Sequence, residues 1–158
     1  MQITVTSETF RLAQVFTISR GSRSTAEVLS VTLEQDGVRG WGECVPYARY
    51  GETLDSVADQ IRALPKGTLT RASLQGLLPA GAARNAVDCA LWDLQAKQEG
   101  KPVWQLAGLE APKPEITAYT LSLDSPEAMR AQAAQNSHRP LLKIKLGTPD
   151  DMPRLEAV

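Results

Sequence analysis

The stretch ITAYTLSLDSPEAMRAQAAQNSHRPLLKIKL, residues 116–146, decides the fold of this 158-residue chain. Residues 116–123 and 141–146 have the apolar and β-branched composition of strands. Between them Ser125-Pro126 can begin a helix, because proline is well tolerated at the first helical position. This order predicts a βαβ unit, whose two strands are parallel and are joined by a right-handed crossover.

The residues before this unit indicate antiparallel strands instead. Polar and apolar residues alternate at the start of the chain, and a second extended stretch covers residues 11–19. Alternation returns over residues 29–33 and is followed by Asp36-Gly37, a dipeptide suited to the positive φ angles of a tight hairpin turn. The return strand is then expected over residues 38–44.

Three predicted helices follow these strands. Apolar residues recur at i, i+3, i+4 and i+7 over residues 54–61, which is typical of an amphipathic helix. Thr70 can cap a short second helix, and a longer third helix is expected over residues 83–99. The pattern therefore predicts an α+β domain over residues 1–113, followed by a domain of residues 114–158 that begins with the βαβ unit.

The composition excludes several classes of protein. With 42% hydrophobic and 22% charged residues the chain is an ordinary globular protein, and a net charge of -1 without blocks of like charge argues against a nucleic-acid partner. No stretch approaches the ~20 apolar residues of a membrane span, and the first residues lack a secretory pattern, so we expect a cytoplasmic protein. Cys44 and Cys89 lie among apolar neighbours without CxxC spacing and are expected to be buried thiols.

The segment LKIKL, residues 142–146, places Lys143 and Lys145 on one face of a strand, with large apolar residues on the other. In a covered parallel sheet, desolvation and mutual repulsion would lower the pKa of such a lysine, which could then act as a base. On an edge strand the same lysines would point to water and hinder aggregation. The spacing alone favours the second interpretation.

A short polar segment, residues 19–24, carries two guanidinium groups, Arg20 and Arg23, between two predicted strands. Such a loop can form a mobile lid, and an arginine on it can bind a carboxylate through two hydrogen bonds. An arginine in an exposed loop is more often simple solvated surface. The sequence by itself favours that interpretation.

The glycine-rich segment of residues 40–52 is interpreted as structural. Gly40 and Gly42 indicate close approach of the backbone to another element, and Glu43 is expected to be paired rather than catalytic. Thr120, on the first strand of the βαβ unit, either faces a ligand at the rim of a barrel or is an ordinary strand threonine. His138, the only histidine, is expected to be a solvated loop residue.

Four segments together resemble the enolase superfamily: residues 19–24, residues 40–46 with Tyr50-Gly51-Glu52, the helix GAARNAVDCALWDL at 81–94, and LKIKL at 142–146. Within its muconate lactonizing subgroup, the chain is most similar to the dipeptide epimerases of the L-Ala-D/L-Glu type. The resemblance implies a fold in which an α+β capping domain is followed by the start of a (β/α)8 barrel.

The resemblance also implies residue roles and a cofactor. Lys145 would be an acid/base for the α-carbon of a dipeptide, with Lys143 as its electrostatic partner, in a 1,1-proton transfer assisted by Mg²⁺. Arg23 would receive the side-chain carboxylate of the substrate, and Thr120 would lie near the substrate. The implied partner is a small dipeptide of cell-wall recycling, and the enzyme could form a homo-oligomer.

The chain departs from the family in length, because a (β/α)8 barrel needs about 250 residues. In the family the carboxylates that bind Mg²⁺ and the opposing lysine come from later strands, so no metal ligand is assigned here. We therefore expect the N-terminal half of a longer isomerase. The alternatives are a muconate cycloisomerase, an o-succinylbenzoate synthase or an N-acylamino acid racemase, or a non-catalytic α+β binding module if 158 residues are the whole protein.

Overall fold

The computed structural model describes residues 1–147, 149 and 151–158. The chain divides into two compact units. The first contains Met1–Phe10 and Glu27–Pro112, and the second contains Arg11–Ala26 and Lys113–Val158. Within the described ranges no helix has both the length and the apolar character needed to cross a membrane.

Three strands form one sheet in the order β1-β2-β3, with β1 at Gln2–Ile18, β2 at Gly21–Gln35 and β3 at Val38–Cys44. Strands β2 and β3 are antiparallel, and their register runs from Leu29 opposite Cys44 to Gln35 opposite Val38. The turn between them has positive φ at Asp36 (54°) and Gly37 (78°), so the predicted hairpin is confirmed. Both residue types tolerate this left-handed region.

The first unit contains four α-helices, and one of them packs on strand β3 of this sheet. They are α1 (Leu54–Arg62), α2 (Arg71–Leu77), α3 (Ala82–Glu99) and α4 (Val103–Leu106). Reciprocal hydrogen bonds of a capping box begin α1 at Thr53 and α2 at Thr70, as expected for Thr70 from the sequence. A single core of buried side chains, among them Leu29, Leu33, Ile61, Leu74 and Val87, joins the helices to the sheet.

Helix α3 packs directly on β3 because two glycines leave room for it. A Cβ atom added to Gly42 would collide with the carbonyl oxygen of Ala86 and lie 2.8 Å from the amide nitrogen of Ala90. One added to Gly40 would collide with the carbonyl oxygen of Ala90 and lie 2.5 Å from the nitrogen of Leu94. The predicted close approach at both glycines is confirmed, and its partner is the helix backbone itself.

Two side chains of α3 also occupy the free edge of β3. The amide of Trp41 donates a hydrogen bond of 2.8 Å to the Asp93 carboxylate, and the Lys97 ammonium donates one of 3.1 Å to the carbonyl of Arg39. Asp93 and Lys97 are themselves paired at 2.6 Å. Main-chain groups that could otherwise bind a further strand are thereby satisfied by one helix.

The second unit contains the predicted βαβ arrangement. Strands β4 (Tyr119–Leu121) and β5 (Leu142–Ile144) are parallel, and helix α5 (Pro126–Gln135) connects them. A last helix, α6 (Asp151–Ala157), follows β5. Both strands are shorter than expected, because regular pairing covers only three residues of each, and residues outside it, such as Ile116, are exposed.

One prediction about the cysteines is wrong. Cys44 is buried at the end of β3, but Cys89 is exposed on α3. Cys89 lies between Asp88 and Ala90 in the sequence, and the buried face of this helix passes through Ala86, Val87 and Ala90. Because successive residues of a helix are about 100° apart, Cys89 falls outside that face.

Candidate functional site

The parallel pair β4–β5 brings three of the candidate residues together. Thr120 lies opposite Lys143 in the register of the two strands. Neighbours in register project to the same face of a sheet, and Lys145, two residues after Lys143, returns to that face. The amide of Lys145 still donates to the carbonyl of Leu121 at 3.3 Å, so Lys145 stays beside β4 although β5 has ended.

The two lysines differ in exposure. Lys143 is exposed, whereas Lys145 is half-buried. The apolar side chains of Leu142 and Ile144, on the opposite face, are half-buried as well. Lys145 is thus the less exposed of the two residues, at the carboxyl end of the strand, where parallel α/β folds carry their reactive side chains.

The fourth candidate, Arg23, lies in strand β2 and not in a loop. The turn of this hairpin consists only of Ser19 and Arg20, because β1 continues to Ile18 and β2 already begins at Gly21. Arg23 is exposed, and across the described part of the chain its guanidinium makes no hydrogen bond or ion pair. The predicted loop is therefore limited to this two-residue turn.

The hairpin belongs to the same compact unit as β4 and β5 and is hydrogen-bonded to the chain after β4. The amide of Thr17 donates to the Ser122 hydroxyl at 2.8 Å, and the amide of Leu123 donates to the carbonyl of Thr17 at 3.1 Å. The hydroxyls of Thr17 and Ser22 are 2.8 Å apart across the hairpin. Sequence reasoning missed Ser122, because nothing local distinguishes it from other strand serines.

The prediction that Glu43 is paired is wrong. In the glycine-rich segment the paired glutamate is Glu52. Glu52 accepts hydrogen bonds from the amides of Tyr47 (3.0 Å) and Ala82 (2.7 Å) and so caps the start of α3. The Glu43 carboxylate is exposed and has no hydrogen bond or ion pair among the described residues. In β3 it points away from the helix, whereas the loop carries Glu52 to the amides at the amino end of α3.

A cavity of about 440 Å³ opens beside Glu52, and Cys44, Tyr47 and Asn85 are among the residues that line it. Burial raises the pKa of the Cys44 thiol to about 11, and the carboxylates of Glu52 and Glu43 act in the same direction. The thiol therefore stays protonated at neutral pH. A protonated thiol is a poor nucleophile and a poor metal ligand, so Cys44 has a packing role.

The described residues contain no group of three or more histidine, cysteine, aspartate or glutamate side chains that could hold a metal ion. His138 is exposed after α5. Among the described residues, the candidate site consists of two lysines and a threonine on one sheet face, with an arginine on the neighbouring hairpin.

Comparison with known proteins points to one family. Residues 1–108 match the family described as mandelate racemase / muconate lactonizing enzyme, N-terminal domain. The L-Ala-D/L-Glu epimerase of Escherichia coli K12 is 47% identical over 150 residues, which are 91% of this chain and 46% of that protein. The chain spans about half the length of the curated relatives that it matches.

Two solved structures extend the comparison to the barrel strands. An enolase family member from Agrobacterium tumefaciens, solved with sodium and L-Ala-L-Glu, is 50% identical, with a TM-score of 0.94 over 99% of this chain and 49% of its own. The dipeptide epimerase of Enterococcus faecalis, solved with Mg and L-Leu-L-Tyr, is 29% identical, with a TM-score of 0.85 over 99% of this chain and 48% of its own. The expected fold, a capping domain followed by the start of an enolase-type barrel, is confirmed. The chain belongs to the mandelate racemase / muconate lactonizing enzyme family of the enolase superfamily.

Proposed function

We propose that this chain supplies the substrate cap and one catalytic base of an epimerase that acts on L-Ala-D/L-Glu or a closely related dipeptide. The observation that carries the proposal is the placement of Lys143, Lys145 and Thr120 on one sheet face, in the same compact unit as the hairpin of Arg23. The similarity to dipeptide epimerases over nearly the whole chain supports it.

In this proposal Lys145 is the base for one face of the α-carbon. Its neutral amine takes the α-proton, the electrons of the C–H bond pass into the substrate carboxylate, and a base on the opposite face returns a proton. Lys143, two residues away on the same face, is the electrostatic partner, because its ammonium attracts the negative charge that develops on the substrate.

Arg23 would select the substrate by its side chain. A guanidinium that has no partner among the described residues can donate two charge-assisted hydrogen bonds to a glutamyl carboxylate. Thr120 would contact the substrate from β4, opposite Lys143. An acidic side chain at the second position of the dipeptide thus matches the charge on the hairpin.

The proposal assigns residues 1–113 to the cap and residues 114–158 to the opening of the barrel. Mg²⁺, present with a dipeptide in the Enterococcus faecalis structure, would need ligands outside this chain, because the described residues do not form a site for it. The opposing base would also lie outside the chain. A cytoplasmic location, recycling of cell-wall peptides and homo-oligomer formation belong to the same proposal.

The test is a substrate comparison with a full-length enzyme that contains this chain. L-Ala-L-Glu, L-Ala-L-Leu and N-acetyl-L-glutamate are incubated separately in deuterated buffer, and NMR follows α-deuteration and the appearance of the second epimer. The proposal expects the highest kcat/KM for L-Ala-L-Glu. Preference for N-acetyl-L-glutamate would instead indicate an N-acylamino acid racemase, and no turnover of any of the three would refute the epimerase.

A further inference from the structure

Ser122 is the one polar side chain that is buried among the described residues, with 4% of its surface exposed. It follows β4 directly and lies two residues after Thr120, so in an extended chain it shares the face of Thr120. A buried hydroxyl is costly unless it is hydrogen-bonded. The hydroxyl of Ser122 is satisfied entirely by one residue of the hairpin, Thr17, whose amide donates to it at 2.8 Å and whose carbonyl accepts from it at 3.5 Å.

Both backbone polar groups of Thr17, the amide and the carbonyl, form hydrogen bonds. Besides the bond from its amide to Ser122, its carbonyl accepts the amide of Leu123 at 3.1 Å. Its hydroxyl then reaches across the hairpin to the hydroxyl of Ser22, at 2.8 Å. Ser22 is the residue immediately before Arg23. A continuous set of hydrogen bonds and one peptide bond therefore connects the end of β4 with the candidate carboxylate-binding arginine.

The hairpin also approaches the chain after β5. A Cβ atom added to Gly147 would lie 2.5 Å from the Cβ of Ser19 and 3.0 Å from its hydroxyl oxygen. Gly147 stands two residues after Lys145 and has a φ of 146°. The turn of the hairpin is therefore in close contact with the segment that follows the proposed base, as Thr17 is with the segment that follows Thr120.

We propose that Ser122 is a positioning residue for substrate selection, which holds Thr17 and thereby fixes the place of Arg23 beside the face that carries Thr120 and Lys145. The inference rests on the proposed function. Ser122 itself contacts no reacting atom in this scheme. It acts through the hairpin, so its loss changes which dipeptide is bound well and leaves proton transfer unchanged.

The experiment compares Ser122→Ala with Ser125→Ala in the full-length enzyme. Ser125 caps α5 through a hydrogen bond of 3.3 Å from the amide of Ala128, so its variant loses a hydroxyl hydrogen bond of the same unit without touching the hairpin. We expect Ser122→Ala to raise KM for L-Ala-L-Glu about 3- to 10-fold, with kcat within about 2-fold and little change for L-Ala-L-Leu. Ser125→Ala should alter neither KM.

Two further measurements test the route through Thr17 and Arg23. In the Arg23→Ala background, Ser122→Ala should hardly raise KM for L-Ala-L-Glu any further, because the guanidinium that it positions is gone. Hydrogen exchange of the Thr17 amide should accelerate in Ser122→Ala and stay at the wild-type rate in Ser125→Ala. If Ser122→Ala does not fold, Thr17→Val removes the bond to Ser22 alone and should raise the same KM.

The positioning role would be overturned if Ser122→Ala raised KM equally for both dipeptides, or if its effect added to that of Arg23→Ala. The epimerase proposal would remain intact in either case. If the wild-type enzyme epimerises no dipeptide, the proposed function has failed by itself. The exchange rate of the Thr17 amide then tests whether Ser122 holds Thr17 in place. Faster exchange in Ser122→Ala alone supports this role, and an unchanged rate refutes it.

Discussion

At the scale of single residues, Lys145 carries the most specific expectation. If it serves one face of the α-carbon, Lys145→Ala should reduce epimerisation in both directions by about 10²- to 10⁴-fold, because each direction needs one proton removed and another delivered. The opposing base survives, so one epimer should still exchange its α-proton with deuterated solvent while the other hardly does. NMR of α-deuterium incorporation in the full-length enzyme measures both.

Lys143→Ala is the matched variant on the same strand face. It removes positive charge without removing a base, so exchange of both epimers should slow together. Near-wild-type epimerisation by Lys145→Ala would return both lysines to the interpretation of a solvated strand face.

Arg23 tests selectivity at the same scale. A charge-assisted contact with a carboxylate contributes about 1.5 to 3 kcal/mol, so Arg23→Ala should lower kcat/KM for L-Ala-L-Glu by about 10- to 150-fold. The value of kcat/KM for L-Ala-L-Leu should fall much less. Arg20→Ala, in the adjacent turn, controls for the loss of one positive charge. Steady-state kinetics of both variants on both dipeptides separates this general charge effect from the loss of the carboxylate contact. Equal losses on both substrates would make Arg23 a structural residue.

Cys44 gives a pH dependence whose sign follows from its raised pKa, which moves from an ordinary 9.0 to about 11 on folding. Between these values the unfolded thiol loses its proton while the folded one keeps it, so the stabilisation present below pH 9.0 is lost as the pH rises through about 11. The loss amounts to at most about 3 kcal/mol. Urea unfolding of wild type and Cys44→Ala across this range checks it, because the difference between their free energies of unfolding should shrink with pH. A constant difference would contradict the assignment.

At the scale of secondary-structure elements, the contact of α3 with β3 depends on Gly42. A methyl group there meets the carbonyl of Ala86, which belongs to a helix backbone and cannot rotate away. We expect Gly42→Ala to destabilise the protein by about 1 to 3 kcal/mol or more. Gly76→Ala is the matched control, since an added Cβ meets nothing within 4 Å in α2 and alanine favours the helix by about 0.5 to 1 kcal/mol. Urea denaturation should therefore give changes of opposite sign.

At the scale of the whole molecule, the chain covers 46% of the Escherichia coli epimerase, and a complete (β/α)8 barrel needs about 250 residues. We expect a polypeptide of these 158 residues to show no epimerase activity with Mg²⁺ present, because one base serves only one face of the α-carbon. The assay compares it with a full-length enzyme at equal concentration. Mg²⁺-dependent epimerisation by a chain of confirmed mass near 17.1 kDa would contradict this expectation.

Sequence by itself determined the parts of this protein that depend on short-range order. The hairpin at Asp36-Gly37, the helix cap at Thr70 and the βαβ order of residues 116–146 follow from turn propensity, capping and periodicity, which act over a few residues. The shared face of Lys143 and Lys145 follows in the same way from the two-residue repeat of a strand. Family resemblance then supplied their expected roles, which no local rule contains.

Tertiary structure alone decided which distant residues meet. It grouped residues 11–26 with residues 113–158, joined Ser122 to Thr17 by a hydrogen bond across 105 positions, and made Glu52 instead of Glu43 the paired carboxylate of the glycine-rich segment. It also turned Cys89 to solvent. Each outcome depends on contacts between segments that are far apart in the chain. Local sequence patterns do not specify which distant segments pack together or form hydrogen bonds with each other.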